Sequence, residues 1–319
     1  MVFSAKTLGR LKHRFDLAFN LKDISYTSEE VANLIAGYDG LITGWGSPQL
    51  TASFFQRADR LRIVAHSAGS VKFMLSKEVI ERYILPRRIC VCNANKAIAH
   101  NVAEATLGLL IMASRRFVDH VSSIRDRLTW RDPGLPLDVP TINGSTIGIV
   151  SASAVGREVI RLLSPFDVRI LVYDPYLQKK EAQGLNVEKT DLRRLFSVSD
   201  FVTIHAPLTS DTRHMINRKY LGLLKDGAIL LNTSRGGLID HNALLEECKT
   251  GRIMADPEPL PPDSPLRGMA NVIITPHIAG LGLYGYHKIG EVILGALENY
   301  FAGRKVENAI DFTKYEIIA

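Results

Sequence analysis

Apolar runs of strand length recur along this chain between amphipathic segments, almost from end to end, and that alternation restricts its fold more than any other feature. Short strands that are apolar on both faces must be covered on both sides, which is the condition of a parallel sheet with crossover helices. Strands are predicted at 17–19, 41–45, 62–66 and 89–93, and a second series at 146–150, 169–173, 200–205, 228–232 and 272–275. The fold class read from this is α/β, as two doubly wound parallel-sheet domains in tandem.

At 319 residues the chain exceeds what one core usually organises, which agrees with two domains. Thr27 followed three residues later by Glu30 announces a helix over 28–38 through a capping box. A longer helix is predicted over 100–116 as a bridge between domains, and a last one over 284–301 that returns to the first. The stretch 128–145 holds three prolines and two glycines and reads as a surface connection. With 46% apolar and 23% charged residues the composition is that of an ordinary globular protein, which excludes wholesale disorder, collagen and coiled coil. The charge excess, 39 − 33 = +6, is scattered along helix faces, so no nucleic-acid partner is expected. The longest apolar run is shorter than a bilayer span, so no membrane partner is expected either. Cys90, Cys92 and Cys248 make no disulfide framework and bring no further ligands, so no metal and a reducing cytoplasm are expected.

A strand, a sharp turn and a helix are predicted at 147–157, the setting of a dinucleotide fingerprint. Only Gly156 of G-x-G-x-x-G is present, and Ser151 and Ser153 stand in the first two glycine places. On that pattern alone a plain turn is as good a reading as a cofactor site. Asp174, 18 residues beyond Gly156, changes the balance, because a carboxylate there accepts from ribose hydroxyls and repels a 2′-phosphate. NAD is therefore favoured over NADP.

Three further segments carry a resemblance: Ser199 to Thr209 with His205-Ala206-Pro207, Leu231 to Asp240 with Asn-Thr-Ser-Arg-Gly, and Asn271 to Gly280 with Thr-Pro-His. With Pro257-Glu258-Pro259-Leu260 they resemble the D-isomer-specific 2-hydroxyacid dehydrogenases over nearly the whole chain. The resemblance implies two Rossmann/flavodoxin-like domains, a substrate domain of 1–98 plus 284–319 and an NAD-binding domain of 99–283, with the reaction in the cleft between them. It implies NAD as cofactor, a small 2-hydroxy or 2-keto acid as substrate and a homodimer. In that family's pattern Arg235 binds the substrate carboxylate and keto oxygen as a planar fork. His277 exchanges a proton with the C2 oxygen, and Glu258 hydrogen-bonds that imidazole and raises its pKa. Backbone amides of Ser67, Ala68, Gly69 and Ser70 hold the substrate carboxylate. The cofactor falls to Ser151, Ser153, Ala154, Val155, Gly156, Arg157, Asp174, His205, Ala206, Pro207, Thr212, Thr233, Ser234, Asp256 and Gly280. Val102-Ala103-Glu104 matches the motif that opens the nucleotide domain, with a structural role for Glu104.

Three departures accompany the resemblance. The chain opens directly into helix, so the first domain is expected to lack a strand. Ser151 is expected to crowd the cofactor phosphates, while the Ser153 hydroxyl compensates. Only Met254, Ala255 and Asp256 separate Ile253 from Pro257, where the family carries a longer buried strand. A catalytically impaired, NAD-responsive scaffold of the same fold is thus the alternative to an active enzyme. An S-adenosylmethionine methyltransferase shares the first turn, but leaves Thr-Pro-His and Asn-Thr-Ser-Arg-Gly without a purpose.

Overall fold

The structure is a computed structural model that describes residues 2–251, 254–256 and 262–317. The chain divides into two compact units, Met1–Ile98 with Leu281–Ala319, and Ala99–Gly280.

In the first unit β1 (Gly40–Thr43), β2 (Ile63–His66) and β3 (Cys90–Asn93) form a parallel sheet in that order. Successive side chains point to opposite faces. Val64 and Val91 meet Phe54, Phe55 and Leu75 on one side, while Ile63, Ala65 and Cys92 meet Ile289, Ile293 and Leu297 on the other. The second face is covered by the helix Leu283–Phe301, whose apolar residues recur at helical spacing. The predicted capping box is present: Thr27 accepts from the Glu30 amide, and Glu30 accepts from that of Thr27. Residues 17–19 form no strand. Among the described residues no strand lies before them, and their amides and carbonyls join no ladder.

The second unit holds β4 (Thr146–Val150), β5 (Arg169–Tyr173), β6 (Glu188–Lys189), β7 (Phe201–Ile204), β8 (Ile229–Asn232) and β9 (Met254–Asp256). All pair in parallel, in the order β6-β5-β4-β7-β8-β9, the doubly wound order with its crossover between β4 and β7. The shortened segment therefore still supplies a sixth strand, with Asp256 paired to Leu231. Residues 272–275, predicted as a strand, show only a single bridge position, Val272, and Pro276 beyond them has no N–H to donate. The helices Phe117–Arg127 and Lys179–Gly184 were not predicted.

The bridging helix starts earlier than predicted, at Asn95, and runs to Ser114. By length and composition alone it is apolar enough to cross a membrane. Its buried side chains Ala103, Leu110 and Ala113 pack against Ile147, Val159 and Phe201 in the second unit's core.

Candidate active site

Ser151, Asp174, His205, Thr233 to Arg235 and Asp256 of the second unit lie at or just after the C-terminal ends of β4, β5, β7, β8 and β9, the edge along which a doubly wound sheet opens a crevice at its crossover. After β4 the chain turns at Ser151, which holds φ +81°, a left-handed conformation that the glycine of a dinucleotide turn adopts freely. The turn is tight enough that a Cβ at Gly156 would lie 2.1 Å from the Ser151 carbonyl oxygen. The helix Ala154–Leu163 follows, carrying Ala154, Val155, Gly156 and Arg157 in its first turn. Amides at such a terminus suit phosphate.

Asp174, at the end of β5, is buried against this turn. Its Oδ2 accepts from the Ala152 amide at 2.9 Å and from the Ser151 hydroxyl at 3.3 Å, and its Oδ1 from the Tyr176 amide at 2.8 Å. A glycine required by close backbone approach, a helix terminus and a carboxylate at the neighbouring strand end fit a dinucleotide. Both serines have partners within the protein. Ser151 directs its hydroxyl to Asp174, and Ser153 is the N-cap, accepting from the Gly156 amide while donating to the His205 carbonyl at 2.8 Å. Its hydrogen is already committed to that carbonyl.

At the end of β7, His205 hydrogen-bonds Thr203 through Nε2 at 3.0 Å, and Nδ1 has no partner among the described residues. Burial pushes its pKa down to about 3, so this imidazole is neutral. Ala206 and Pro207 follow, and the Thr212 hydroxyl donates to the Pro207 carbonyl, closing that loop.

The loop after β8 is pinned at each residue. The Asn232 side chain accepts from the Ser234 amide and donates to the Arg235 carbonyl, and the Ser234 hydroxyl reaches back to Ile204. Thr233 shares a hydrogen bond with Thr106 of the bridging helix at 3.2 Å. Because the Thr106 hydroxyl donates to the Val102 carbonyl, Thr233 is the donor in that pair. Arg235 itself is exposed and, among the described residues, makes no ion pair. Its Nη1 donates to the Ser234 carbonyl at 2.7 Å, leaving the rest of its fork for a ligand.

His277 also sits at positive φ, +58°. Such strain persists where the surroundings fix it. Here Asn101, buried on the bridging helix, donates its side-chain amide to the Gly280 carbonyl at 3.1 Å. Partial burial, and after it the Arg235 guanidinium, hold His277 below the usual imidazole range. An upward shift is therefore not what the described surroundings produce, and Glu258, expected to cause one, lies outside the described residues. The backbone of Asp256 ends β9 beside β8. Asn101, Thr106 and Asn232 were missed by the sequence reading; Asn232 stood inside a quoted motif, and the other two flank Glu104, which is exposed.

Ser67, Ala68, Gly69 and Ser70 belong to the first unit and follow β2. Both the amide and the hydroxyl of Ser67 donate to the Thr43 carbonyl, at 2.7 and 2.6 Å, and Ala68 accepts from the Ala94 amide. Beneath them His66 is fully buried, hydrogen-bonded to Thr43 through Nδ1, its pKa pushed down to about 4.

Residues 107–279 match the family model for the NAD binding domain of D-isomer specific 2-hydroxyacid dehydrogenases. A glyoxylate reductase of Thermofilum pendens is 37% identical over 297 residues, covering 89% of this chain and 85% of that protein. A D-3-phosphoglycerate dehydrogenase of Methanocaldococcus jannaschii is 32% identical over 295 residues, covering 89% of this chain. The chain spans about half, 54%, of that relative's length. Among solved structures, the TT0316 protein from Thermus thermophilus superposes with a TM-score of 0.77 at 29% identity, covering 97% of each chain. A six-stranded dinucleotide sheet and a family model that takes in more than half of the sequence lead to one conclusion: the chain belongs to the D-isomer specific 2-hydroxyacid dehydrogenases.

Proposed function

We propose that this protein transfers a hydride between NAD(H) and C2 of a small 2-keto acid or D-2-hydroxy acid. The observation that carries the reading is the pairing of an exposed, otherwise uncommitted Arg235 with a strained His277 whose protonation it opposes. NADH, when bound, supplies the hydride. Arg235 receives the substrate carboxylate and keto oxygen on the free side of its fork. His277 exchanges the proton at the C2 oxygen, with Glu258 as its carboxylate partner. A carboxylate resting on Arg235 cancels the repulsion between guanidinium and imidazolium, so His277 gains proton affinity as the keto acid binds. That order suits reduction, where His277 must arrive as an acid. In the first unit, the loop Ser67, Ala68, Gly69 and Ser70 is assigned to the substrate.

The test is NADH consumption by the purified protein with glyoxylate, hydroxypyruvate and 3-phosphohydroxypyruvate, with chiral analysis of the glycerate and 3-phosphoglycerate products. Turnover of none of them, or an L-product, refutes the reading. Calorimetry with oxamate, a keto-acid mimic, in buffers of different ionisation enthalpy measures the expected proton uptake.

The protein is further assigned to the cytoplasm as a homodimer, acting on small molecules rather than nucleic acid or membrane. Its free cysteines support the compartment. Phe117, Val121, Ile124 and Leu128 are exposed along one helix and its end, supporting self-association there. Sedimentation of the parent and of Val121→Glu tests the dimer, and fractionation of the source cells tests the compartment.

A further inference from the structure

We propose that the Ser151 hydroxyl is an internal competitor for the adenosine ribose of NAD(H) at Asp174, so that this side chain sets how tightly the cofactor is held. The inference rests on the NAD-binding reading and concerns a serine that stands where the fingerprint has glycine.

A carboxylate offers about four lone-pair sites, and Asp174 already receives three donors: the amides of Ala152 and Tyr176, and the Ser151 hydroxyl. A ribose presents two adjacent hydroxyls, both of which seek acceptors. One vacant site does not serve two donors. The amides of Ala152 and Tyr176 are part of the turns that follow β4 and β5, and they cannot leave without unmaking those turns. The Ser151 hydroxyl can leave by rotation about a single bond, so it is the donor that yields.

Ser151 cannot instead swing away as a whole. Its amide donates to the Tyr173 carbonyl at 2.7 Å, and its own carbonyl faces Gly156 so closely that any side chain there would collide. The backbone is therefore locked at positive φ, the Cβ direction is fixed, and only the hydroxyl has freedom. At 3.3 Å its bond to Asp174 is long and displaceable. Ser153 offers no such exchange, since its hydroxyl both caps the helix and holds the His205 carbonyl.

Calorimetric titration of the full-length parent, Ser151→Ala and Ser151→Gly with NADH, ADP-ribose and nicotinamide mononucleotide tests this without reference to turnover. Ser151→Ala keeps the Cβ and deletes only the competitor. It should tighten NADH and ADP-ribose about 3- to 10-fold, the worth of one net hydrogen bond, and leave nicotinamide mononucleotide unchanged. Ser151→Gly, which suits the local φ and guards against a folding defect in the alanine variant, should tighten both at least as much. Unchanged or weaker binding of ADP-ribose in both variants overturns the proposal, because the hydroxyl is then neutral or a cofactor donor. Failure of NADH and ADP-ribose to bind any variant, parent included, refutes the NAD reading itself and this proposal with it. Tightening of NADH without ADP-ribose would place the effect at the nicotinamide end and also refutes it.

Discussion

The two units solve the same problem with different amounts of sheet. The first covers three strands with helices on both faces, and the second covers six. In the second, the loops after β4, β7 and β8 are each tied by side chains to a neighbouring strand end or to the bridging helix. In the first, the loop after β2 rests mainly on one carbonyl, that of Thr43. More strands provide more strand ends, and each end offers carbonyls and amides that fix the adjoining loop. The residues proposed for cofactor and catalysis lie where such ties are dense, which is what a site requiring accuracy near 1 Å needs.

The largest effect should come from the groups those ties position. Arg235→Lys replaces a planar fork by a point charge and should lower kcat/KM at least ~100-fold, with NADH affinity nearly unchanged. His277→Ala should abolish keto-acid reduction. Parallel losses of NADH affinity in both would show that the two residues act through the fold rather than at the substrate.

Removing a tie while keeping the working group should cost less. Asn232→Ala leaves the Ser234 amide and the Arg235 carbonyl without their shared partner in a buried position, and a loss of about 10- to 100-fold in kcat/KM is expected. Asn101→Ala releases Gly280 and with it one constraint on the left-handed His277, so kcat should fall about 10-fold with little change in KM. A KM effect alone for Asn101→Ala would mean that the helix holds the substrate rather than the histidine.

Acid compares the two units through one buried imidazole in each. His66 and His205 are both desolvated, with pKa values near 4 and 3 in the folded protein against about 6.5 when unfolded. The unfolded chain therefore takes up protons that the folded chain refuses. The stability they contribute is complete above pH ~6.5 and drains away as pH falls toward 4 and 3. Between pH 7 and pH 5 the loss is roughly 2 kcal/mol for each histidine. Urea midpoints measured across that range should fall, and His66→Gln should flatten the dependence of the first unit more than that of the second. Equal slopes in parent and variant would show that His66 does not govern it.

The sequence was informative where local chemistry decides. The apolar runs at 146–150 and 169–173 end where β4 and β5 end, because an apolar run bounded by polar turns leaves few alternatives. It misled where pairing decides: among the described residues 17–19 has strand composition and no strand beside it, and 272–275 is apolar but makes only a single bridge, at Val272. The helix Phe117–Arg127 starts after a left-handed Arg116 with no side-chain cap, so no start signal announced it. For the site, motif residues named the strand ends but not their supports. Asn101 and Thr106 act across 179 and 127 residues of sequence, and no spacing rule reaches that far.

The smallest expected effect separates the two serines by stability alone. Ser151 holds φ +81°, where a β-carbon is strained by about 1 kcal/mol and glycine is not. Against this, glycine loosens the unfolded chain and forfeits a long hydrogen bond, so Ser151→Gly should be neutral to slightly stabilising. Ser153 has ordinary extended geometry, and its side chain serves as N-cap to the helix Ala154–Leu163 while bonding the His205 carbonyl. Ser153→Ala should therefore cost about 1 kcal/mol or somewhat more. On a chain of this size that is a fall in Tm of about 2 °C or somewhat more. Thermal denaturation of both variants, without cofactor, should thus move in opposite directions or leave Ser151→Gly unmoved. A fall for Ser151→Gly as large as that for Ser153→Ala would mean that the Ser151 bond to Asp174 outweighs the strain of its backbone, and the hydroxyl would then be too firmly held to yield to a ribose.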